Sequence, residues 1–287
     1  MIHKHTFISD YFLPRTLNDA REILDRFGDH AMIIGGGTAF AFLKIPSKVR
    51  ALVDLSKAGI SGIRETPRGI VIGASATITD IMTHPLLINH LGGVAPEAAL
   101  CIATTPLRNL ITVGGSVSRV FYWSCLPPLL MAMKAKIRVW NGKNVSLSAE
   151  DFFTTNMKNG KHIGIIRDIH LPKPKTNAAA AFVKISRTAT DFAFVNVAAS
   201  VEAPDGIIRD SRIVVGAITP KPLRLLDIEQ ALKNKPLSPE TINDAVSVSP
   251  AKVNPRKDFR ISDGYSLEIL PVILKRCLQT AFSRLKI

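Results

Sequence analysis

The chain has no uninterrupted apolar run of the ~18 residues that a membrane-spanning helix needs. Its opening, MIHKHTFISDYFLPRTL, lacks the continuous apolar core of a signal peptide, so a cytoplasmic protein with no membrane span is expected. Cysteine is scarce: Cys101, Cys125 and Cys277 lie far apart, which leaves no CxxC metal pattern and no even-numbered disulfide framework. His3 and His5 form an HxH pair, whereas His84, His90, His162 and His170 lack a companion at ligand spacing, so no metal is assigned. Neither HExxH nor GxSxG is present, and no paired-carboxylate signature stands out.

What is present is a basic globular composition. Thirty-seven Lys and Arg against 23 Asp and Glu give a net charge of +14, and 46% of the residues are apolar. The cations are scattered, without a long block or interleaved aromatics, so the charge names no partner and no nucleic acid is expected. A length of 287 residues exceeds the usual single domain of ~100–200, which favours two domains.

TLNDAREILDRFG reads as a helix that opens at Thr16 and stops at Gly28. AMII and ALVDL read as short strands, GIVIG as another, and Pro85 breaks the helical run that follows Thr77. NLITV reads as a strand ending at a double glycine, and PPLLMAMKAKIRVWNG as a helix, a strand and an Asn-Gly turn. LPKPKTN suits a linker, which places a domain boundary at 174/175. Beyond it, β-rich segments separated by turn signals predict an antiparallel meander. The helices RLLDIEQALKN and YSLEILPVILKRCLQTAFSRL follow, making the second domain α+β.

Two glycine segments share one plan. AMII runs into Gly35, Gly36, Gly37 and Thr38, and NLITV runs into Gly114, Gly115 and Ser116. Successive main-chain N–H groups in such turns form an anion nest, and glycine lets a phosphate approach the backbone. Paired in one domain, with Thr38, Thr112 and Ser116 beside them, they read as two jaws around a pyrophosphate. The GxGxxG fingerprint is missing, since Ala39 and Phe40 fall where the last glycine is needed, and no Lys-Ser/Thr completes a P-loop.

Several motifs resemble the FAD-binding medium subunit of molybdenum hydroxylases, the xanthine dehydrogenase and carbon monoxide dehydrogenase family. YFLPRTLNDA, GGGTAFAFLK ending at Lys44, and LRNLITVGGSVS carry the likeness in the first domain. FVKISRTATDFAFVNVAAS and GAITPKPLRLLDIEQAL carry it in the second. The resemblance implies an α+β architecture: a two-lobed FAD-binding domain over residues 1–174, with a lobe boundary near 57, and a smaller α+β domain over 175–287.

It also implies FAD, with Ile34, Gly35, Gly36, Gly37, Thr38, Ala39, Phe40, Thr112, Gly114, Gly115 and Ser116 at the pyrophosphate and ribityl chain. Ile102, Ile166 and Lys184 then match positions that approach the isoalloxazine. Where the family usually has a Ser/Ala-Asp pair, this chain has Ser124 and Cys125, and a thiol is a poor acceptor. The implied partners are a molybdopterin-binding large subunit and a [2Fe-2S] small subunit, and electrons leave FAD for NAD+ or another acceptor. The alternative is a degenerate flavin site in a structural subunit. Arg187 and Asp191 are read as an ion pair that positions the second domain, and Phe121, Tyr122 and Trp123 as filling an interface.

Overall fold

The computed structural model describes residues 8–41, 45–154, 164–248 and 253–285. His3, His5, Lys44 and His162, singled out above, lie outside them.

Three sheets organise the chain. The first is parallel, in the order β1 (Asp10–Phe12), β3 (Ala51–Asp54), β2 (Ala31–Ile34). Helix α1 (Leu17–Phe27) connects β1 to β2. Thr16 and Asp19 close a reciprocal capping box at its start, and Gly28 ends it at φ +51°. Ala20, Val53, Leu55 and Ile60 form a small core beneath this sheet.

The second sheet is antiparallel and five-stranded. Its order is β4 (Ile63–Thr66), β5 (Gly69–Gly73), β8 (Ile165–Pro172), β6 (Lys136–Trp140), β7 (Asn144–Ser148). The Asn141-Gly142 turn closes the β6–β7 hairpin, with Gly142 at φ +73°. One face of this sheet is covered by α2 (Ile78–Thr83), α4 (Val94–Leu100), α6 (Val113–Ser118), α7 (Leu126–Ala132) and α8 (Ala149–Thr154). Pro85 ends α2 by starting the short α3 (Pro85–Ile88), with His84 as the cap between them.

The third sheet is the expected meander, β9 (Ala178–Ile185), β10 (Val195–Glu202), β11 (Asp210–Gly216) and β12 (Leu223–Arg224), all antiparallel. Its period-2 alternation places the two faces in different cores. Ala179, Ala181, Val197, Ala199, Ile213 and Val215 pack against α9 (Leu226–Leu232), α10 (Pro239–Ser247) and α11 (Asp263–Ser283). Ala180, Phe182, Ala198 and Val214 turn the other way and join the core that holds α7. All seven residues of α7 are buried, because the helix lies between two sheets.

Two expectations need correction. NLITV is not a strand: the one-turn helix α5 (Thr105–Arg108) runs into it, and Thr112 makes only an isolated bridge to Thr77 before the chain enters α6. The double glycine therefore lies inside a helix and not in a loop. Asp191 makes no ion pair with Arg187 among the described residues; its carboxylate accepts from the Phe192 N–H at 2.7 Å.

Candidate functional site

The end of β2 and the start of α6 meet. Gly35 lies so close to Thr112 that an added methyl group would sit 2.5 Å from the Thr112 hydroxyl oxygen, and one on Gly36 would overlap the Leu110 carbonyl oxygen. Gly114 is equally confined, with Ala74 2.9 Å from the position its Cβ would occupy. Gly35 and Gly36 are thus bare first because the two segments press on each other, and Gly114 because Ala74 stands against it. Gly37 differs: its φ of +71° favours glycine and turns the chain into the 3-10 turn Thr38–Ala41.

The two segments differ in the hydrogen-bonding capacity they leave over. In the second, Val113 N–H donates to the Ala76 carbonyl at 2.8 Å and Gly114 N–H to that of Ala74 at 2.7 Å. Gly115 N–H donates to Thr112 Oγ1 at 3.1 Å and Ser116 N–H to the Thr112 carbonyl at 3.0 Å. Thr112 is the N-cap of α6, so this segment is not the open nest that the sequence suggested. In the first, the N–H groups of Gly36, Gly37, Thr38 and Ala39 have no acceptor among the described residues, and the turn begins only with Phe40 N–H on the Gly37 carbonyl at 3.1 Å. Four consecutive unpaired donors, half-buried and next to Thr38 in the chain, make this turn a candidate anion cradle.

Lys184, Cys125 and the loop that carries Ile102 lie near one another. Lys184 Nζ donates to the carbonyls of Cys101 (2.8 Å), Ala189 (2.7 Å) and Asp191 (2.8 Å), which uses all three of its N–H bonds. It fixes the loop that carries Ile102 and has no donor left for a ligand. Arg108, which sequence reading passed over, holds the same loop from within. Only 7% exposed, it donates from Nη1 to the carbonyls of Ile102 (3.1 Å) and Ala103 (2.7 Å), and from Nη2 to Thr105 Oγ1 (2.8 Å). These bonds support Ala103 at φ +46°. The signal was available in the LRN motif, but the sequence cannot say which carbonyls a buried arginine meets.

Cys125 is buried among Leu126, Leu129 and Leu130, and burial pushes its thiol up to about 12. It is a neutral core residue. Ser124 stays half-buried, and its carbonyl accepts from Asn196 Nδ2 at 3.3 Å. Ile166 lies on β8 where two cores meet, partly buried against both. Trp123 stacks on Phe192 with ring centroids 4.5 Å apart, and Arg256 lies over Tyr122 at 3.2 Å, so these aromatics span the junction between the second and third sheets. Among the described residues, no group of three or more His, Cys, Asp or Glu side chains could hold a metal ion, and no helix is long and apolar enough to cross a membrane.

Comparison with known proteins identifies the family. The family model of the FAD binding domain in molybdopterin dehydrogenase matches residues 5–174, and that of the CO dehydrogenase flavoprotein C-terminal domain matches residues 180–281. The chain is 26% identical over 281 residues to the carbon monoxide dehydrogenase medium chain of Hydrogenophaga pseudoflava, covering 96% of this chain and 97% of that one. It is 27% identical over 285 residues to the xanthine dehydrogenase FAD-binding subunit of Escherichia coli O157:H7, covering 95% and 96%. Among solved structures, the fold is shared with carbon monoxide dehydrogenase from Hydrogenophaga pseudoflava at a TM-score of 0.89, with 24% identity and 98% and 99% coverage. Quinoline 2-oxidoreductase from Pseudomonas putida 86 gives 0.85, with 24% identity and 96% of each chain covered. The chain belongs to the family of FAD-binding medium subunits of molybdenum hydroxylases, an oxidoreductase family.

Proposed function

We propose that this chain is the FAD-binding, electron-transferring subunit of a multi-subunit molybdenum hydroxylase, working in the cytoplasm. Its partners are a molybdopterin-binding large subunit and a [2Fe-2S] small subunit, which supply the electrons, and NAD+ or another acceptor takes them away. The observation that carries the reading is the row of unpaired N–H groups at Gly36, Gly37, Thr38 and Ala39.

The chemistry FAD supplies when bound is to take up two electrons one at a time and release them singly or as a pair. The protein's part is binding and orientation. In this reading the four N–H groups and the Thr38 hydroxyl hold the phosphate charge, while Ile34 and Phe40 flank the cradle. Gly35 and Thr112 set the spacing between the two segments, Gly114 lets α6 approach Ala74, and Gly115 and Ser116 lie at the accessible start of α6. Ile102 and Ile166 offer apolar surface that excludes water from the ring. Lys184 and Arg108 act through main-chain carbonyls, keeping Ile102 in place. Cys125 has no ligand contact to lose, because its thiol faces the core; Ser124 is the member of that pair with access to a ligand.

An absorption spectrum of the purified full chain with added FAD tests the proposal. Bound, oxidised-flavin bands that survive gel filtration are expected. A colourless protein that takes up no FAD would sink it and favour a structural subunit with a degenerate site.

A further inference from the structure

The outer face of the five-stranded sheet concentrates charge that the cofactor cradle does not use. Strand register sets it out: Arg64 on β4 pairs with Val71 on β5, Val71 with His170 on β8, and His170 with Lys136 on β6. Paired residues project to the same face, so these four form one row across the sheet. Arg138, two residues beyond Lys136, shares that face, and Arg68 stands in the β4–β5 turn. A cleft of about 240 Å³ opens over Val71 between Arg64, Arg68, Arg138 and His170.

The cations are unequally engaged. Asp168, 3% exposed, grips Arg138 through both oxygens at 2.5 and 2.8 Å, with Arg167 at 3.5 Å. Among the described residues no hydrogen bond or ion pair engages the side chains of Arg64, Arg68 or Lys136. The field is felt by His170, whose proton affinity is lowered by burial and then by Arg138 and Lys136, with Asp168 opposing.

We propose that this cleft and row dock an acidic segment of a partner subunit, with its carboxylates on Arg64, Arg68 and Lys136 over the apolar floor of Val71. The inference rests on the proposed function only in supposing that a partner exists. Arg64 and Lys136 are three strand spacings apart, about 14 Å, which several carboxylates along a peptide can bridge and one phosphate cannot. No Phe, Tyr or Trp ring lines the cleft to serve as a base-stacking platform. A second copy of this chain would bring another +14 charges against the same face.

The test uses the full chain and a hexaglutamate peptide, with inorganic phosphate and an oligothymidylate as competitors at equal ionic strength. Binding is measured on the wild type, on Arg64→Glu/Arg68→Glu, and on Lys233→Glu/Lys235→Glu, an equal charge change on exposed residues elsewhere. The cleft variant should lose about tenfold in affinity and the remote variant little. The His170 pKa, followed by NMR of labelled imidazole, should rise when the peptide binds, because carboxylates stabilise the imidazolium. Equal weakening in both variants, an unmoved His170, or stronger competition by the oligonucleotide than by excess peptide would each overturn the proposal. Flavin content is measured in parallel. Its absence with peptide binding intact would count against the cofactor reading and leave this one standing.

Discussion

The segments at 35–37 and 114–115 look alike in sequence and serve opposite ends. The first leaves its N–H groups unspent, so it can receive an anion. The second spends every one of them on Ala74, Ala76 and Thr112, so it can only brace. A glycine pair therefore carries no fixed meaning: what matters is whether the donors beside it have partners. At Gly36 the missing side chain makes room for the neighbouring carbonyl, and at Gly115 it makes room for little more than a hydroxyl oxygen.

Substitutions can break this contrast. The largest effect is expected from Gly36→Ala, whose methyl overlaps the Leu110 carbonyl and must push the two segments apart. A loss of about 3 kcal/mol in urea unfolding should accompany loss of flavin uptake. Flavin retained at the wild-type level would mean that the contact between the segments is irrelevant to the cradle. Thr112→Val keeps the shape but removes the N-cap of α6, and should cost about 1 kcal/mol in the same assay. An unchanged midpoint there would show that the Thr112–Gly115 bond contributes nothing.

The smallest change is expected from Gly115→Ala. The position is exposed and helical, and only the Thr112 hydroxyl stands near, at 2.9 Å. The helix propensity gained, about 1 kcal/mol, offsets a small shift of that side chain. Stability and flavin content should both stay close to wild type. A loss as large as at Gly36 would erase the distinction between cradle and brace.

The sequence made much of the fold legible where a signal was local. Thr16 and Gly28 bound α1, Pro85 splits α2 from α3, and the β-rich segments between turn signals mark the sheet of β9 to β11. It did not reveal that both faces of that sheet are buried, since the second cover, α7, comes from about 50 residues earlier in the chain. NLITV misled because Ile111, Thr112 and Val113 are β-branched, and two glycines inside a helix cost about 1 kcal/mol each relative to alanine. The approach of Ala74 makes the first of those glycines necessary, and that is a tertiary fact.

The candidate site was legible in the same uneven way. Composition drew attention to residues 35–38, but not to the close contact that keeps Gly35 and Gly36 bare. Cys125 drew attention as a replaced acceptor, yet its neighbours turn it into the core. The role of Arg108 was hidden because most of its acceptors are main-chain carbonyls, which every sequence possesses.

The three bonds from Lys184 carry one more consequence. They tie the peptide groups at 101, 189 and 191 to a single ammonium on β9, so the two loops cannot open independently. In amide hydrogen exchange they should behave as one cooperative unit. A disturbance arriving on either loop is thereby felt on the other without any change in the sheets beneath.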